Sequence, residues 1–463
     1  MLLLQLFAVL SFLFQTCIPT CQASPIDRLS EKEVEDRLDA LLQSRASYKN
    51  LPPLEAYPSP ESRTLKPGSI PEYVAKYAPL VFLYSEEKYL PYDIEEYVSH
   101  FRPTWRNGTV IDLPGKDRND PLYKNQVLHL SDLENLPQST HEELVFLSSL
   151  SDFDVDPEWI TGVHNKPNYY NGEIKDAPVT LIVTDKGKGW VDAYWFFFYS
   201  FNLGPFVMGF GPFGDHIGDW EHCLVRFYKG EPVIIWMSAH GGGGAYFYDH
   251  MEKETLDSSG IAVGNGVQPV IFSARGTHAN YPSTGQHSHD LPYSILSDFT
   301  DRGGLWNTAL NYLAYTYTPA DDNLSGEAAG MELSLANGSH PFRESKYGKW
   351  LEYNGAWGDP KLEPEDPRQH WSPFEWKYID GPTGPLTKNL VRTSPCQRAK
   401  WWNFWNGCNV RRYIQYGQGV FDQEGNNSCG SLYVHFKNKW VRKLVEVVTW
   451  GGWVCFSIDL VFG

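Results

Sequence analysis

The 463 residues carry 42% hydrophobic, 15% aromatic and 21% charged side chains, with 40 Gly and 32 Pro. That balance supports a sizeable, loop-rich folded core and excludes a disordered or low-complexity chain. Lys and Arg number 39 against 56 Asp and Glu, a formal charge of -17, which opposes approach to a polyanion and excludes nucleic acid as an expected partner.

Met1 to Phe14 is an apolar run of signal-peptide length without Lys or Arg, and Cys21-Gln22-Ala23 follows as a small-residue cleavage pattern. Residues 1–23 are therefore expected to be a signal peptide that sends the chain into the secretory pathway. Leu29, Val34, Leu38, Leu41 and Leu42 recur at helical spacing, and six prolines fall between Leu51 and Pro71, so residues 24–70 read as a helical segment and a Pro-rich linker.

From there the pattern changes to short β-type runs separated by Gly, Pro and Asp: Leu80 to Leu83, Val179 to Val183, Val191 to Phe201, Glu221 to Phe227, Pro232 to Met237 and Pro269 to Ser273. Such runs, joined by turns, predict a mainly β fold over residues 71–395, a predominantly antiparallel β-sandwich with long loops and a few peripheral helices. One longer helix is expected at Gly304 to Tyr315, and residues 316–395 are expected to be loops over the sandwich.

Residues 396–463 form an aromatic segment containing Cys396, Cys408, Cys429 and Cys455. In an oxidising compartment these four predict two disulfides, with three pairings open, while Cys223 stays reduced. Sequons at Asn107, Asn323, Asn337 and Asn426 fit a glycoprotein. Val447 to Ser457 is apolar but about half the length a bilayer requires, and Glu446 and Asp459 bracket it, so a buried strand is expected rather than a transmembrane anchor.

The segment richest in chemistry is Phe213 to Phe227. Period-two alternation from Asp219 places Asp219, Glu221, Cys223, Val225 and Phe227 on one face and Trp220, His222, Leu224 and Arg226 on the other. Two carboxylates at the mouth of an otherwise apolar face are costly to ionise unless something positive meets them, and a metal ion is the simplest candidate. His216 precedes them, and Pro269 to Arg275 runs into His278 at the end of an apolar strand. The candidate metal ligands are thus His216, Asp219, Glu221 and His278, with Asp215 and His240 as secondary candidates. Carboxylate-dominated donors favour Ca²⁺, Mg²⁺ or Mn²⁺, and each His ligand brings Zn²⁺ closer. Trp220 and His222 read as packing and orienting residues.

No nucleophile elbow, H-E-x-x-H helix or P-loop occurs, and no G-x-G-x-x-G is placed between a strand and a helix. The chain therefore reads as a binding protein more readily than an enzyme. The alternatives are a metal-dependent hydrolase with Glu221 or His278 as general base, and a toxin-like effector docking on a lipid head group. A glycan or protein partner is equally compatible with the sequence.

Tyr77-Ala78-Pro79-Leu80-Val81, Gly218-Asp219-Trp220-Glu221-His222, Ser273-Ala274-Arg275-Gly276-Thr277-His278-Ala279, Trp357-Gly358-Asp359, Asp366-Pro367-Arg368-Gln369 and Gly381-Pro382-Thr383-Gly384-Pro385 occur in this order. In these stretches the chain resembles the fungal vacuolar protein sorting-associated protein 62 family and its plant relatives. The resemblance implies an association with vacuolar protein targeting, hence a secreted or vacuole-lumen location, and names no reaction. Around Asp219-Trp220-Glu221 the chain is also similar to the necrosis- and ethylene-inducing-peptide-like toxins, whose Gly-His-Arg-His-Asp-Trp-Glu heptad supplies divalent-cation ligands. His216, Asp219 and Glu221 match those positions, whereas Asp215, Ile217 and Gly218 replace the opening Gly, the Arg and the second His. That pattern implies a retained ion site without toxin activity.

Overall fold

The computed structural model describes residues 51–66, 68–113, 127–206, 211–256, 266–288, 297–319, 331–335, 348–371, 375–397 and a few positions between 408 and 444. The expected signal peptide, the N-terminal helix, three of the four sequons and the strand at Val447 to Ser457 lie outside the described residues. A compact unit spans Leu54 to Gly463.

Strands dominate it. In chain order they are β1 (Leu80–Phe82), β2 (Phe101–Trp105), β3 (Val145–Ser149), β4 (Val179–Asp185), β5 (Trp190–Asn202), β6 (His216–Tyr228), β7 (Glu231–Ala239), β8 (Gly242–Phe247), β9 (Lys253–Glu254), β10 (Gln268–Ser273), β11 (Asn280–Tyr281), β12 (Gly285–Ser288), β13 (Ser297–Thr300), β14 (Leu305–Asn307), β15 (Tyr312–Pro319), β16 (Met331–Leu335) and β17 (Val410–Arg411). Two short helices, α1 (Glu72–Lys76) and α2 (Ile94–Val98), lie at the periphery. The Asp93 side chain caps α2 by accepting from the Glu96 amide.

The large sheet runs β16-β15-β4-β5-β6-β7-β8-β17, and a smaller one runs β11-β10-β1-β14 with β9 paired to β10. Between them Val81, Ile271 and Trp306 of the small sheet meet Leu181, Trp195, Phe197, Cys223, Val225 and Ile235 of the large one in a single apolar core. The fold is therefore mainly β, with two sheets packed face to face. Most pairings are antiparallel, but β1 with β10, β4 with β15 and β8 with β17 are parallel.

The second face of the large sheet is buried too. Tyr194, Phe196 and Phe198 of β5, Trp220 and Leu224 of β6, and Trp236 of β7 pack against Tyr97 of α2, Phe101, Leu147, Trp350 and Trp357. All thirteen residues of β5 are buried as a result, which explains its continuous aromatic run in place of polar alternation.

Gly304 to Tyr315 is not helical. β14 pairs with β1 and β15 with β4, and Trp306 enters the core between the sheets. Helical spacing there is a local signal, outweighed by strand pairing and by a turn in which Asn311 Nδ2 donates to Ile174 O and Lys175 O at 2.8 and 2.7 Å. The expected loop region after residue 316 likewise begins with the end of β15 and includes β16.

Cys396 and Cys408 form a disulfide, and Cys223 is a free, buried thiol. Cys429 and Cys455 lie outside the described residues. The bridge closes a loop of sequence separation 12, so Cys396→Ser is expected to cost about 2–3 kcal/mol, chiefly by freeing the unfolded chain. Thermal unfolding with and without reductant measures this; equal midpoints would mean the bridge contributes nothing to the folded unit. Among the described residues no helix is long and apolar enough to cross a membrane.

Candidate functional site

β6 delivers the carboxylates. Its register with β5 pairs Ile217 with Phe201 and Asp219 with Tyr199, and Gly218 between them adopts φ 69°. This local break turns His216 relative to Asp219 and lets β6 pack against residues 357–358. The His216 Nδ1 donates to Gly218 O at 2.7 Å, leaving Nε2 as the lone-pair nitrogen of the neutral ring. Burial, partly offset by Asp219, lowers the His216 imidazole below its ordinary value, so the neutral form is the relevant one.

Asp219 and Glu221 are 4% and 8% exposed and lie on one face of β6. Asp219 Oδ2 accepts from His278 Nδ1 at 3.0 Å, and Glu221 Oε2 accepts from the Ser238 hydroxyl of β7. That hydroxyl itself accepts from the His222 amide at 2.7 Å. Burial and the neighbouring Asp219 charge push Glu221 up to about 8, against the pull of Ser238, His240 and Lys388.

His278 ends the turn after β10 in the left-handed region, φ 53°, and is fully buried. Its Nε2 donates to Tyr89 O at 3.0 Å and lies 3.6 Å from Glu87 Oε1. Tyr199 stacks on the ring at 3.7 Å between centroids. Burial opposes charge on His278, but Glu87 and Asp219 carry it up to about 9. With both nitrogens facing acceptors, the imidazolium orients Asp219 and has no lone pair to offer.

Glu87 is locked in turn: its carboxylate accepts from the amides of Gly276 at 2.7 Å and of Lys88 and Tyr89 at 2.9 Å. Burial would raise its carboxyl, but His278 and these amides outweigh it and hold the group below the ordinary carboxylate range.

His216, Asp219, Glu221 and His278 are thus brought to one end of β6. Asp215 sits just before it, with Oδ1 accepting from the Gly204 amide at 2.8 Å, and burial raises its carboxyl to about 7. His240, at the end of β7, turns its Nε2 to Asp298 Oδ2 at 2.6 Å, and Asp298 also accepts from Thr277 Oγ1 and Tyr281 Oη. Among the described residues no group of three or more His, Cys, Asp or Glu side chains is already gathered as a coordination shell.

Glu87, Tyr199 and Ser238 were not visible as site residues in the sequence. Ser238 lies in a strand already recognised, two positions after Trp236, so a register of β6 with β7 would have found it. Glu87 carries no motif at all.

A mainly β protein with paired carboxylates buried at the end of a central strand is the class that fold and site define. The profile described as vacuolar protein sorting-associated protein 62 matches residues 54–308. Vacuolar protein sorting-associated protein 62 of Saccharomyces cerevisiae is 44% identical over 99% of this chain and 97% of its own. A putative vacuolar protein sorting-associated protein of the same yeast, TDA6, is 46% identical over 85% of this chain and 83% of its own. The chain belongs to the vacuolar protein sorting-associated protein 62 family. Two solved structures also align: a toxin fold for microbial attack and plant defense, at 11% identity over 54% of this chain and 83% of that one with a TM-score of 0.22; and Necrosis and Ethylene inducing Protein 2 from the agent of cocoa's Witches Broom disease, at 10% identity over 53% and 74% with a TM-score of 0.21. Scores this low carry no argument about function or detailed fold.

Proposed function

We propose that this chain is a vacuole-related binding protein of the secretory pathway, in which His216, Asp219 and Glu221 hold a divalent cation. The carrying observation is the carboxylate pair. Among the described residues Asp219 Oδ1 and Glu221 Oε1 make no hydrogen bond, Oδ2 and Oε2 being the engaged oxygens, and the one ion pair to either carboxylate is that of His278 with Asp219. His278 compensates Asp219 alone, so ionising Glu221 beside it in a buried site is unfavourable unless a further cation lies between them. The two oxygens and the His216 Nε2 are a donor set suited to Mn²⁺, Ca²⁺, Mg²⁺ or Zn²⁺, and His278 would then fix the Asp219 rotamer from behind the ligands. His278, doubly donating, is better placed to position than to accept a proton, which favours binding over hydrolysis. The apolar leader at Met1 to Phe14, the disulfide and the names of the two yeast relatives support the secretory and vacuolar assignment.

Purified protein stripped with EDTA is expected to melt at lower temperature and to recover when one of these cations is restored; at a hundredfold excess over Kd the recovered stability is about 2.7 kcal/mol. Asp219→Ala and Glu221→Gln should abolish the recovery. A wild-type midpoint indifferent to EDTA and to all four cations, in a preparation free of metal by elemental analysis, refutes the site. N-terminal sequencing tests the compartment: a chain beginning near Ser24 supports secretion, and an intact Met1 contradicts it.

A further inference from the structure

We infer that the protein binds a small oxyanion at a second site, on the opposite face of the large sheet, where Arg392, His222 and Trp236 meet. This inference is independent of the cation reading. Lys186, Asp192 and Arg226 are 0%, 0% and 1% exposed and Arg392 is 5% exposed, so three cations share a buried region with one carboxylate. Asp192 is fully used: Arg226 Nε and Nη2 donate to its two oxygens at 2.7 and 2.8 Å, and Tyr194 Oη donates at 3.2 Å. The remaining partners of the cations are backbone carbonyls. Lys186 Nζ donates to Leu390 O at 3.1 Å, Arg226 Nη1 to Thr393 O at 2.6 Å, and Arg392 donates through Nε to Pro395 O at 3.1 Å and Nη1 to Lys388 O at 2.8 Å. Carbonyls satisfy donors without cancelling charge. Lys186 relieves its share by giving up a proton, since burial lowers its ammonium to about 7; a guanidinium has no such escape.

The unmet donors converge on one indole. The Arg392 guanidinium lies over Trp236 and Tyr194, 4.8 and 5.0 Å from the ring centroids. The His222 ring is 4.8 Å from Trp236 and stacks on Phe196 at 4.7 Å. Arg392 Nη2, both ring nitrogens of His222 and Trp236 Nε1 are all buried with no hydrogen-bond partner among the described residues. In either protonation state the His222 ring carries at least one N–H. Three N–H groups without an acceptor, beside a guanidinium that forms no direct ion pair among the described residues, call for a ligand that accepts several hydrogen bonds and carries negative charge. Water meets the first requirement only; a phosphate or carboxylate group meets both. The carbonyls of residues 388–393 close the region.

The test uses the full chain. Ion chromatography of anions released on denaturation detects a ligand that copurifies. Thermal scans in sodium phosphate, sodium acetate and sodium chloride at equal ionic strength detect one that exchanges. A stoichiometric released oxyanion, or a saturable rise in Tm with phosphate or acetate and none with chloride, is the expected result, and the more effective salt identifies the tetrahedral or planar class. His222→Phe keeps the ring stack while removing a donor and should weaken the apparent affinity about tenfold, the loss of one charge-assisted hydrogen bond. Arg392→Lys should abolish it. No released oxyanion together with no oxyanion-specific shift overturns the inference, as does an affinity unaltered in both His222→Phe and Arg392→Lys.

Discussion

Replacing Asp192 with alanine is expected to destabilise the protein by about 3–5 kcal/mol, the range for removing one partner of a buried ion pair. Asp192 is the only carboxylate facing Arg226, Lys186 and Arg392 in the described region, and its removal leaves like charges buried together. Arg226→Met should cost less, because Lys186 and Arg392 remain within the field of Asp192. The order of the two effects is thus fixed by counting charges rather than hydrogen bonds. The deficit also has a sign with pH. Lys186 titrates at about 7 in the fold against an ordinary 10.5, so between those values the unfolded chain binds more protons and rising pH favours the native state. Without Asp192, which raises it, the Lys186 ammonium should lose its proton at still lower pH. The Asp192→Ala deficit should therefore shrink as pH rises toward about 7, stay level above that, and shrink again in acid as Asp192 itself is protonated. Urea unfolding of both variants across this range decides the matter; a deficit under about 1 kcal/mol, or one that grows as pH rises through the Lys186 titration, would mean the cations are compensated in another way.

That cluster also marks where sequence reasoning stopped. Alternation along β6 separated Asp219, Glu221 and Cys223 from Trp220, His222 and Arg226, and the two cores hold Cys223, Val225 and Phe227 on one face and Trp220 and Leu224 on the other. What alternation could not supply is the burial of the second face. Asp192 carries no sequence signal and alternation only places Arg226 on a face; the carbonyls that Arg226 meets arrive 166 and 167 positions later in the chain. The same distance problem hid Glu87, whose contact with Gly276 spans 189 positions. At residues 304–315 the error ran the other way. A local helical spacing was overridden by pairing with β1 and β4, elements more than a hundred residues earlier. The short motifs were legible because their chemistry is local; the arrangement around them depends on closures that no window of sequence contains.

Gly218→Ala is expected to cost about 2–5 kcal/mol, although it adds only one methyl group. The residue has φ 69°, where a side chain costs about 1–2 kcal/mol. Its new Cβ would also overlap Trp357 O and lie 2.6 Å from Tyr97 Oη. Those two atoms are hydrogen-bonded to each other at 2.9 Å, and Trp357 belongs to the buried aromatic cluster, so neither can move without repacking; overpacking of this kind adds about 1–3 kcal/mol. Gly230→Ala provides the comparison. It has φ 85°, but its Cβ would meet only the edge of the Tyr73 ring at 3.3 Å, so the conformational cost of about 1–2 kcal/mol should stand alone. Gly218 further sits between His216 and Asp219 and accepts the His216 hydrogen bond through its carbonyl. Any relief of the overlap must shift β6 away from residues 357–358 and change the spacing of the proposed cation ligands. Equilibrium unfolding and cation titration of Gly218→Ala should therefore show both a lower stability and a weaker cation response, while Gly230→Ala loses stability alone. Equal stability losses in the two variants would show that the close packing of β6 on Trp357 does not set the geometry of this end of the strand.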